Sequence, residues 1–275
     1  MSITATDTGR TGPLSRALGS ALGFVVPAGC LGCGERLPEG PFEAGGARGA
    51  HLGLCLACRG RLARPEPGCA ACGEPIPAAA LEPLPPGWVC GECRRRPPPF
   101  AALRAAWSYR GPAAAAVRAL KFRRLDYLGA HLARDLRELV PAGEEEWDLV
   151  VPVPLHWRRR WRRGYNQAER IARPLAGLLG VPCAELLRRR RATRPQTALA
   201  RDERLSNPRG AFVLRRGRWP PAAARAAARL AGGRVLLVDD VVTTGATLRS
   251  AAEVLRRSGA REVVALAAAR TPAGE

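Results

Sequence analysis

The chain has 275 residues and a formal net charge of +20 at pH 7, from 44 Lys and Arg against 24 Asp and Glu. This length leaves about 170 residues for a domain with its own hydrophobic core beside one small module, which excludes a protein held together by metal sites alone. So large an excess of positive charge predicts affinity for polyanions.

Residues 1–27 are interpreted as a tail that carries a short amphipathic helix. Residues 14–26 are moderately apolar, and Leu18, Leu22 and Val25 have helical spacing. The stretch is too short to span a membrane. The stretch before Cys30 weakly resembles a lipoprotein signal peptide, but Pro27 occupies the position of its cleavage box. We therefore expect a cytoplasmic protein with no membrane span.

Eight of the nine cysteines form four C-x-x-C pairs, which is zinc-ribbon spacing. Four pairs of thiolates make two tetrahedral sites, each with four cysteine ligands, and leave no thiol over. A disulfide framework is the alternative, disfavoured because no convincing secretion signal is present. Serial pairing, first with second and third with fourth, needs only local folding and is favoured over a cross-brace. The predicted zinc ligands are Cys30, Cys33, Cys55, Cys58, Cys69, Cys72, Cys90 and Cys93.

Residues 28–97 are predicted to be a double zinc ribbon. From Cys30 onward they are rich in Gly and Pro and poor in β-branched and aromatic residues, so metal binding is expected to supply most of the folding free energy. The three prolines at 97–99 then predict a stiff linker. Cys183 lies outside this module and is predicted to be a core residue.

Residues 98–272 alternate between helix and strand patterns. The predicted strands are 148–153, 235–238 and 262–267, and the predicted helices are 113–122, 126–139, 166–179 and 248–258. Strands that alternate with helices imply a parallel sheet, so the predicted fold class is α/β. The polar stretch 190–210 lacks clear periodicity and is interpreted as a lid loop.

The segment 235–247 begins with the chemistry of a ribose site. Four apolar residues, Val235 to Val238, suit a strand covered on both faces, and Asp239 and Asp240 follow at its carboxyl end. Carboxylates accept hydrogen bonds from the cis hydroxyls of a ribose, and α/β sheets bind ligands at this end of their strands. The alternative is a buried acid pair at an ordinary strand-to-helix turn.

The turn that follows the two acids suits a phosphate. A glycine permits close backbone approach, and a helix beginning near Ala246 points free N–H groups and a positive dipole end at an anion. Three threonine hydroxyls add further donors. The predicted phosphate-binding residues are Thr243, Thr244, Gly245, Ala246 and Thr247.

This segment resembles the signature of type I phosphoribosyltransferases: a hydrophobic strand, two acids and a Thr/Gly phosphate loop. Together with motifs elsewhere it resembles the ComF/GntX family in order and spacing from about residue 30 to residue 270. The further motifs are Leu120-Lys-Phe122, Val151-Pro-Val-Pro154, Trp161-Arg-Arg-Gly-Tyr-Asn-Gln167 and the run Gln196…Leu199…Arg204…Asn207. That family joins an N-terminal zinc ribbon to a phosphoribosyltransferase-like domain, and its members are linked to natural competence, the uptake of single-stranded DNA. Some members of that family keep two C-x-x-C pairs rather than four.

The resemblance implies a ligand, phosphoribosyl pyrophosphate or a nucleotide. Asp239 and Asp240 would hold its ribose hydroxyls and residues 243–247 its 5-phosphate. The residues expected at the pyrophosphate are Pro152, Val153, Arg162, Arg163 and Gly164. Mg²⁺ would be carried mainly by substrate phosphates and water. No catalytic residue is assigned, because transfer through an oxocarbenium-like state needs positioning rather than a protein nucleophile.

Lys121 is the only lysine of this Arg-rich chain. A retained lysine could have a specific task, but an accident of the surface is the favoured interpretation.

A second ligand is predicted from the basic segment 156–173. It contains seven arginines against Glu169 alone, and aromatic residues recur among them at four-residue spacing. This pattern offers stacking platforms beside a phosphate-tracking groove for single-stranded DNA. The alternative is that the tryptophans pack beneath the loop while arginines cover a solvated face. The predicted nucleic-acid-binding residues are Trp157, Arg158, Arg159, Arg160, Trp161 and Tyr165.

Three functions follow as hypotheses. The favoured one is a ComF-like competence or DNA-uptake accessory protein that senses phosphoribosyl pyrophosphate or a nucleotide, binds single-stranded DNA and meets other competence proteins. The second is an active Mg²⁺-dependent phosphoribosyltransferase acting on a nucleobase or another small nitrogenous acceptor, although no base-reading motif is found. The third is a zinc-ribbon adaptor that docks to another protein.

Overall fold

The larger domain is built on a four-stranded parallel sheet. The computed structural model describes residues 29–37, 51–76, 85–143, 146–155, 161, 163–190, 210–215 and 221–272. The sheet strands are β1 (Ala102–Ser108), β2 (Leu149–Pro152), β5 (Arg234–Val242) and β6 (Glu262–Arg270), in the spatial order β1–β6–β5–β2. A separate antiparallel ribbon pairs β3 (Leu187–Arg189) with β4 (Phe212–Leu214). The predicted α/β class is confirmed.

The described helices fall into two groups. The zinc-ribbon region contains the 3-10 turn His51–Gly53 and the short helices α1 (Leu56–Gly60) and α2 (Gly91–Arg95). The larger domain contains α3 (Gly111–Phe122), α4 (Tyr127–Arg137), α5 (Gln167–Leu179), α6 (Pro221–Ala228) and α7 (Ala246–Arg257).

Helices cover both faces of the sheet, as the unbroken apolar run in β5 predicts. Leu236 and Val238 pack in one core layer with α3, α4 and α5. Val235 and Leu237 pack in the opposite layer with α6 and α7. All four side chains are fully buried, because successive residues of a strand point to opposite faces.

Several elements differ from the sequence predictions, which include neither the β3–β4 ribbon nor helix α6. β5 does not end before the acids but continues to Val242, because its backbone stays paired with β6 as far as Arg270. Asp239 and Asp240 therefore lie within the strand. β1 is not predicted at all, since its sequence Ala-Leu-Arg-Ala-Ala-Trp-Ser has weak strand propensity and is held extended by pairing with β6.

The zinc-ribbon region packs along the outer edge of the sheet. β1 is the edge strand there, and Ser108 N–H donates to Ala63 O and Leu103 N–H to Ala71 O, both at 2.8 Å. These bonds pair backbone groups that an exposed edge would offer to other chains. Residues 97–99 thus connect two regions that are in contact, rather than holding them apart as a stiff spacer would.

Two predicted segments lie outside the described residues: the helix at 14–26 and the part of the lid at 191–209. In the portion of the chain that is described, no helix has the length and apolar character required to cross a bilayer.

Candidate functional site

Asp239 and Asp240 lie beside the turn predicted to hold pyrophosphate. Pro152 in β2 is the register partner of Val238, the residue before the acids. Val153 N–H donates to Val238 O at 2.8 Å. Asp240 N–H donates to Asp239 Oδ1, also at 2.8 Å, which fixes the first carboxylate against the backbone. The structure therefore brings the predicted ribose acids and the Pro152–Val153 turn together.

The surroundings of Asp239 favour its protonated form. Burial raises its pKa to about 7, and the negative charge of Asp240 adds to the increase. The Asp240 N–H and the cations of Lys121 and Arg189 act in the opposite direction but do not cancel it. Hydrogen-bond donors from a ligand, or a cation bound beside the pair, would stabilise the ionised form. Carboxyl groups with such raised pKa values are concentrated at functional sites.

Lys121 contacts the second acid. It lies in the last turn of α3, and its Nζ is 3.0 Å from Asp240 Oδ1. Both side chains are mostly buried, with 16% and 13% of their surface exposed. The Tyr109 ring centroid lies 5.9 Å from the same Nζ. The single lysine of the chain therefore contacts one of the two predicted ribose acids, which argues against a surface accident.

The threonine turn leads into α7 as predicted and has the features of an anion site. Gly245, at the N-cap, has a left-handed backbone (φ 73°), and a Cβ there would lie 3.3 Å from Leu103 Cδ1. The N-cap residue Gly245 makes no side-chain capping bond, and the N–H groups at the start of a helix favour an anion through their partial positive charge. Thr244 Oγ1 is buried and finds no hydrogen-bond partner among the described residues. A phosphate oxygen would satisfy both kinds of donor.

The segment 163–166 joins the end of α3 to the Pro152–Val153 turn. The Tyr165 hydroxyl donates to Leu120 O. Asn166 Nδ2 donates to Val153 O at 3.0 Å. Because both contacts are buried, this segment, the neighbourhood of Lys121 and the predicted pyrophosphate turn form one packed unit.

Two predicted pyrophosphate residues are placed in that unit. Arg163 Nη1 donates to Gln167 Oε1 at 3.2 Å, and its guanidinium lies 5.0 Å from the centroid of the Phe122 ring. Gly164 has φ 83°, and a Cβ there would lie 3.0 Å from Arg124 Nη2, so glycine suits this position. Arg162 is outside the described residues.

The predicted nucleic-acid residues divide into three groups. Trp157 and the arginines at 158–160 lie outside the described residues. Trp161 is 85% exposed and remains available for stacking. The prediction that Tyr165 binds nucleic acid is wrong. The residue is only 8% exposed and its hydroxyl donates to Leu120 O in α3, so its ring has no exposed face on which a base could stack.

Exposed residues of α3 and the residues that follow it extend the surface around Trp161. Phe122 is 68% exposed, Arg123 and Arg124 are exposed, and Arg163 lies over the Phe122 ring. We call this surface the basic-aromatic patch and define it as Phe122, Arg123, Arg124, Trp161 and Arg163. Phe122 in this patch directly follows Lys121, which contacts the predicted ribose acid Asp240.

The eight C-x-x-C cysteines assemble into two four-cysteine groups. The first contains Cys30, Cys33, Cys55 and Cys58, and the second Cys69, Cys72, Cys90 and Cys93; all sulfurs in a group lie within 4.8 Å of one another. Between knuckles, Cys33 and Cys55 sulfurs are 3.7 Å apart and Cys72 and Cys90 sulfurs 3.9 Å. A tetrahedral zinc ion with Zn–S bonds of about 2.3 Å requires about 3.8 Å between sulfurs. The serial pairing is confirmed, and none of the nine cysteines, which are all described, forms a disulfide.

Backbone donors stabilise one thiolate in each group. Cys55 N–H donates to Cys30 Sγ at 3.3 Å, and Cys90 N–H to Cys69 Sγ at 3.2 Å. Burial acts to raise the pKa of Cys30, but N–H groups of the knuckles outweigh it and lower that pKa to about 6. Burial raises the pKa of Cys58 to about 12, so a cation is needed before all four cysteines can be thiolates.

The first four-cysteine group docks on α4, in the core layer of α3 to α5. His51 Nε2, from the 3-10 turn between its knuckles, lies 3.0 Å from Asp135 Oδ1. Trp107 Nε1 donates to Asp135 Oδ2 at 2.7 Å. His51 also meets the His131 ring edge to face, and burial together with the charge of His51 lowers the pKa of His131 to about 4. This contact lies on the side of the sheet opposite to α7.

The second four-cysteine group contacts α7, which follows the threonine turn, and β6, the strand that pairs with β5. Arg249 in α7 donates from Nη2 to Cys93 Sγ at 3.6 Å. Arg270, the register partner of Val242 at the end of β5, donates to Cys72 O at 2.5 Å and is only 3% exposed. A cleft of about 860 Å³ between this group and α7 extends to Thr244.

Comparison with known proteins identifies the family. Residues 127–275 match the phosphoribosyl transferase domain. DNA utilization protein YhgH of Salmonella typhimurium is 35% identical over 230 residues, 81% of this chain and 92% of its own. YhgH of Escherichia coli K12 is 34% identical over 227 residues, 80% and 92% of the two chains. Competence protein F of Haemophilus influenzae is 30% identical over 222 residues, 78% and 89%. The chain belongs to the ComF/GntX family.

This membership confirms the resemblance drawn from the motifs, and the structure adds residues that the sequence did not assign to the site. Asn166 and Gln167 are fully buried, and Asn166 Oδ1 and Gln167 Nε2 find no partner among the described residues. Two polar residues in succession at the start of an amphipathic helix were the signal that could have identified them. Phe122 was quoted only as part of a family motif, because no local pattern distinguishes an exposed aromatic from a buried one.

Proposed function

We propose that this ComF/GntX protein binds phosphoribosyl pyrophosphate or a nucleotide at the end of β5. Asp239 and Asp240 accept hydrogen bonds from the ribose hydroxyls, and residues 243–247 bind the 5-phosphate. The Pro152–Val153 turn and residues 162–164 bind the pyrophosphate. The observation that carries the proposal is the buried Thr244 hydroxyl, which has no hydrogen-bond partner among the described residues. It lies at the start of α7, shortly after Asp239, whose pKa is raised.

Mg²⁺ fits the same site. It prefers oxygen ligands and keeps several waters, so the phosphates and hydroxyls of the ligand would hold it close to Asp239 and Asp240. Mg²⁺ bound there would neutralise negative charge on the pyrophosphate. The two four-cysteine groups would each hold one structural zinc ion, because their sulfur spacing matches a tetrahedral site.

Calorimetric titration with phosphoribosyl pyrophosphate and Mg²⁺ tests the ribose assignment. Replacing both acids, Asp239→Asn with Asp240→Asn, removes two charged acceptors and is expected to weaken binding at least about 100-fold. Asp126→Asn, at an exposed carboxylate paired with Arg170, is the control and is expected to bind as the wild type does. Unchanged affinity in the folded double variant would show that the ligand is bound elsewhere.

We further propose that single-stranded DNA binds along the basic-aromatic patch. Exposed Trp161 and Phe122 offer faces on which bases can stack, and Arg123, Arg124 and Arg163 supply positive charge for phosphates. Two relatives are named for DNA utilization and one for competence, which supports this class of ligand.

Fluorescence anisotropy with a labelled single strand tests the patch. Phe122→Ala with Trp161→Ala is expected to weaken binding at least about tenfold, since each stacked base contributes roughly 1–3 kcal/mol. Leu178→Ala removes an exposed apolar side chain on α5 instead and is the matched control. Equal affinities for the two variants would exclude stacking at the patch.

The alternative function is an active phosphoribosyltransferase, favoured by the match of residues 127–275 to that domain. It predicts release of pyrophosphate from phosphoribosyl pyrophosphate with some nucleobase or small nitrogenous acceptor. If the protein acts only as a sensor, phosphoribosyl pyrophosphate should bind saturably without being turned over. A pyrophosphate assay over a panel of acceptors separates the two.

A further inference from the structure

We propose that Lys121 makes the site selective for a ligand that carries a pyrophosphate. In the ligand-free protein its ammonium group is held by Asp240, and on binding it transfers to a pyrophosphate oxygen. This inference rests on the proposed ligand and deepens it, because it assigns the residue that separates phosphoribosyl pyrophosphate from ribose 5-phosphate.

The ion pair of Lys121 with Asp240 occupies a carboxylate oxygen that a ribose hydroxyl would use as a hydrogen-bond acceptor. Lys121 Nζ lies 3.0 Å from Asp240 Oδ1, at hydrogen-bond distance, and both groups are largely shielded from water. A ribose hydroxyl that donates to Asp240 therefore competes with the ammonium group. Lys121 then requires a new anionic partner, because an ammonium group without one is costly at such a position.

Contacts of the residues on either side of Lys121 tie it to the segments proposed to hold pyrophosphate. Leu120, the preceding residue, accepts a hydrogen bond from Tyr165, and Asn166 donates to Val153 in the pyrophosphate turn. On the other side of Lys121, the Phe122 ring packs against the Arg163 guanidinium. Lys121 is thus fixed between the ribose acid and the two segments proposed to hold pyrophosphate.

The residue type agrees with a transfer between partners. A lysine carries a compact charge on a flexible four-carbon stem and can exchange one anion for another. A guanidinium group forms a planar two-bond contact with a carboxylate and would remain on Asp240. Every other cationic side chain in the 44 Lys and Arg residues is arginine, so lysine stands at the one position where this difference matters.

A purely supporting role for Lys121 makes a different prediction. If the ion pair only orients Asp240, loss of the ammonium group will weaken both ligands by the same factor, because both use the ribose acids. If Lys121 binds pyrophosphate, only the ligand that carries pyrophosphate will lose affinity.

Calorimetry with the full chain, Mg²⁺ and each ligand separates these roles. For Lys121→Met we expect phosphoribosyl pyrophosphate to bind at least about tenfold more weakly, while ribose 5-phosphate binds as tightly as to the wild type or more so. Lys121→Arg is expected to weaken both ligands, because Asp240 stays occupied. Equal losses for both ligands in Lys121→Met, or no loss for either, would overturn the inference. A wild-type protein that binds neither ligand would overturn the proposed function as well.

Amine labelling gives a second readout that does not depend on affinity changes in variants. The wild-type chain has one lysine, so trace acetylation followed by mass spectrometry reports Lys121 directly, with the α-amino group as internal control. Ribose 5-phosphate should speed acetylation of Lys121 by releasing it from Asp240, and phosphoribosyl pyrophosphate should slow it. Equal acetylation rates with and without saturating phosphoribosyl pyrophosphate would refute the transfer.

Discussion

At the scale of single residues, Asp239 shows how the ligand site lowers the stability of the free protein. Its pKa rises from the ordinary value of 3.8 to about 7, chiefly because it is buried and next to Asp240. Between these two values the folded protein keeps a proton that the unfolded chain has lost. The free energy of unfolding therefore decreases as the pH rises across that interval and stays lower above pH 7. Bound ligand is expected to offset this cost.

Asp239→Asn should remove that pH dependence. At pH 8 we expect its free energy of unfolding to exceed that of the wild type by up to about 4 kcal/mol, since the pKa rises from 3.8 to about 7 and one pKa unit corresponds to about 1.4 kcal/mol. Near pH 5 the difference should be smaller, because the pH has crossed only part of the interval between 3.8 and 7 over which the wild type loses stability. Thermal unfolding from pH 5 to pH 8 measures the difference, with Asp126→Asn as the control. A difference that is the same at every pH would disprove the role of ionisation.

At the scale of elements, the close approach of α4 and α5 depends on one glycine. A Cβ on Gly129 would lie 2.2 Å from Arg170 O, a backbone atom that cannot move aside cheaply. This contact sets the position of α5, which begins at Gln167 beside the pyrophosphate segment. The helix pair therefore fixes one wall of the proposed site.

Two glycine-to-alanine substitutions should change the free energy of unfolding in opposite directions. Gly129→Ala is expected to lower the free energy of unfolding by about 3 kcal/mol through overpacking. Gly177→Ala, inside α5 with open space around it, is expected to raise it by about 0.5–1 kcal/mol through backbone entropy. Chemical denaturation measures both. A Gly129→Ala protein as stable as the wild type would mean that the two helices can separate freely.

The two four-cysteine groups are expected to differ in their effect on ligand binding. The second group contacts α7 through Arg249 and the end of β6 through Arg270, whereas the first docks on α4 across the sheet. Cys90→Ser with Cys93→Ser should lose one zinc ion and weaken phosphoribosyl pyrophosphate binding by on the order of tenfold, as expected when a supporting contact is lost. Cys30→Ser with Cys33→Ser should lose one zinc ion and retain affinity. Metal analysis measures the zinc content of each variant, and calorimetry measures its affinity for phosphoribosyl pyrophosphate. Equal losses of affinity in the two variants would contradict a different role for the two groups.

Local patterns in the sequence allowed the zinc groups and the β5–α7 turn to be predicted, because their residues are close together in the chain. Spacing identified the eight cysteine ligands and the turn at Gly245, but it only favoured the serial pairing over a cross-brace, and it placed Asp239 after β5 rather than within it. The contact between Lys121 and Asp240 and the burial of Tyr165 could not be predicted, since each joins residues that only the tertiary fold brings together. β1 was missed for the same reason, because its pairing with β6 outweighs its weak propensity.

At the scale of the whole molecule, the two proposed ligands share one region. The basic-aromatic patch borders Lys121, and segment 163–166 connects the patch to the pyrophosphate turn. With a net charge of +20, DNA binding should weaken steeply with salt, because each phosphate contact releases counterions. Since both ligands are anionic and adjacent, occupancy of one site should change the affinity of the other, by the same factor in both directions.

We propose that this ComF/GntX protein binds a ribose-phosphate ligand in linkage with single-stranded DNA. Calorimetric titration of the zinc-loaded protein with phosphoribosyl pyrophosphate and Mg²⁺, with and without a short single strand, tests it most directly. We predict saturable binding to one site per chain and a dissociation constant that changes at least severalfold when DNA is present. Identical binding in both titrations would contradict the linkage, and no heat of binding in either would contradict the ligand site itself.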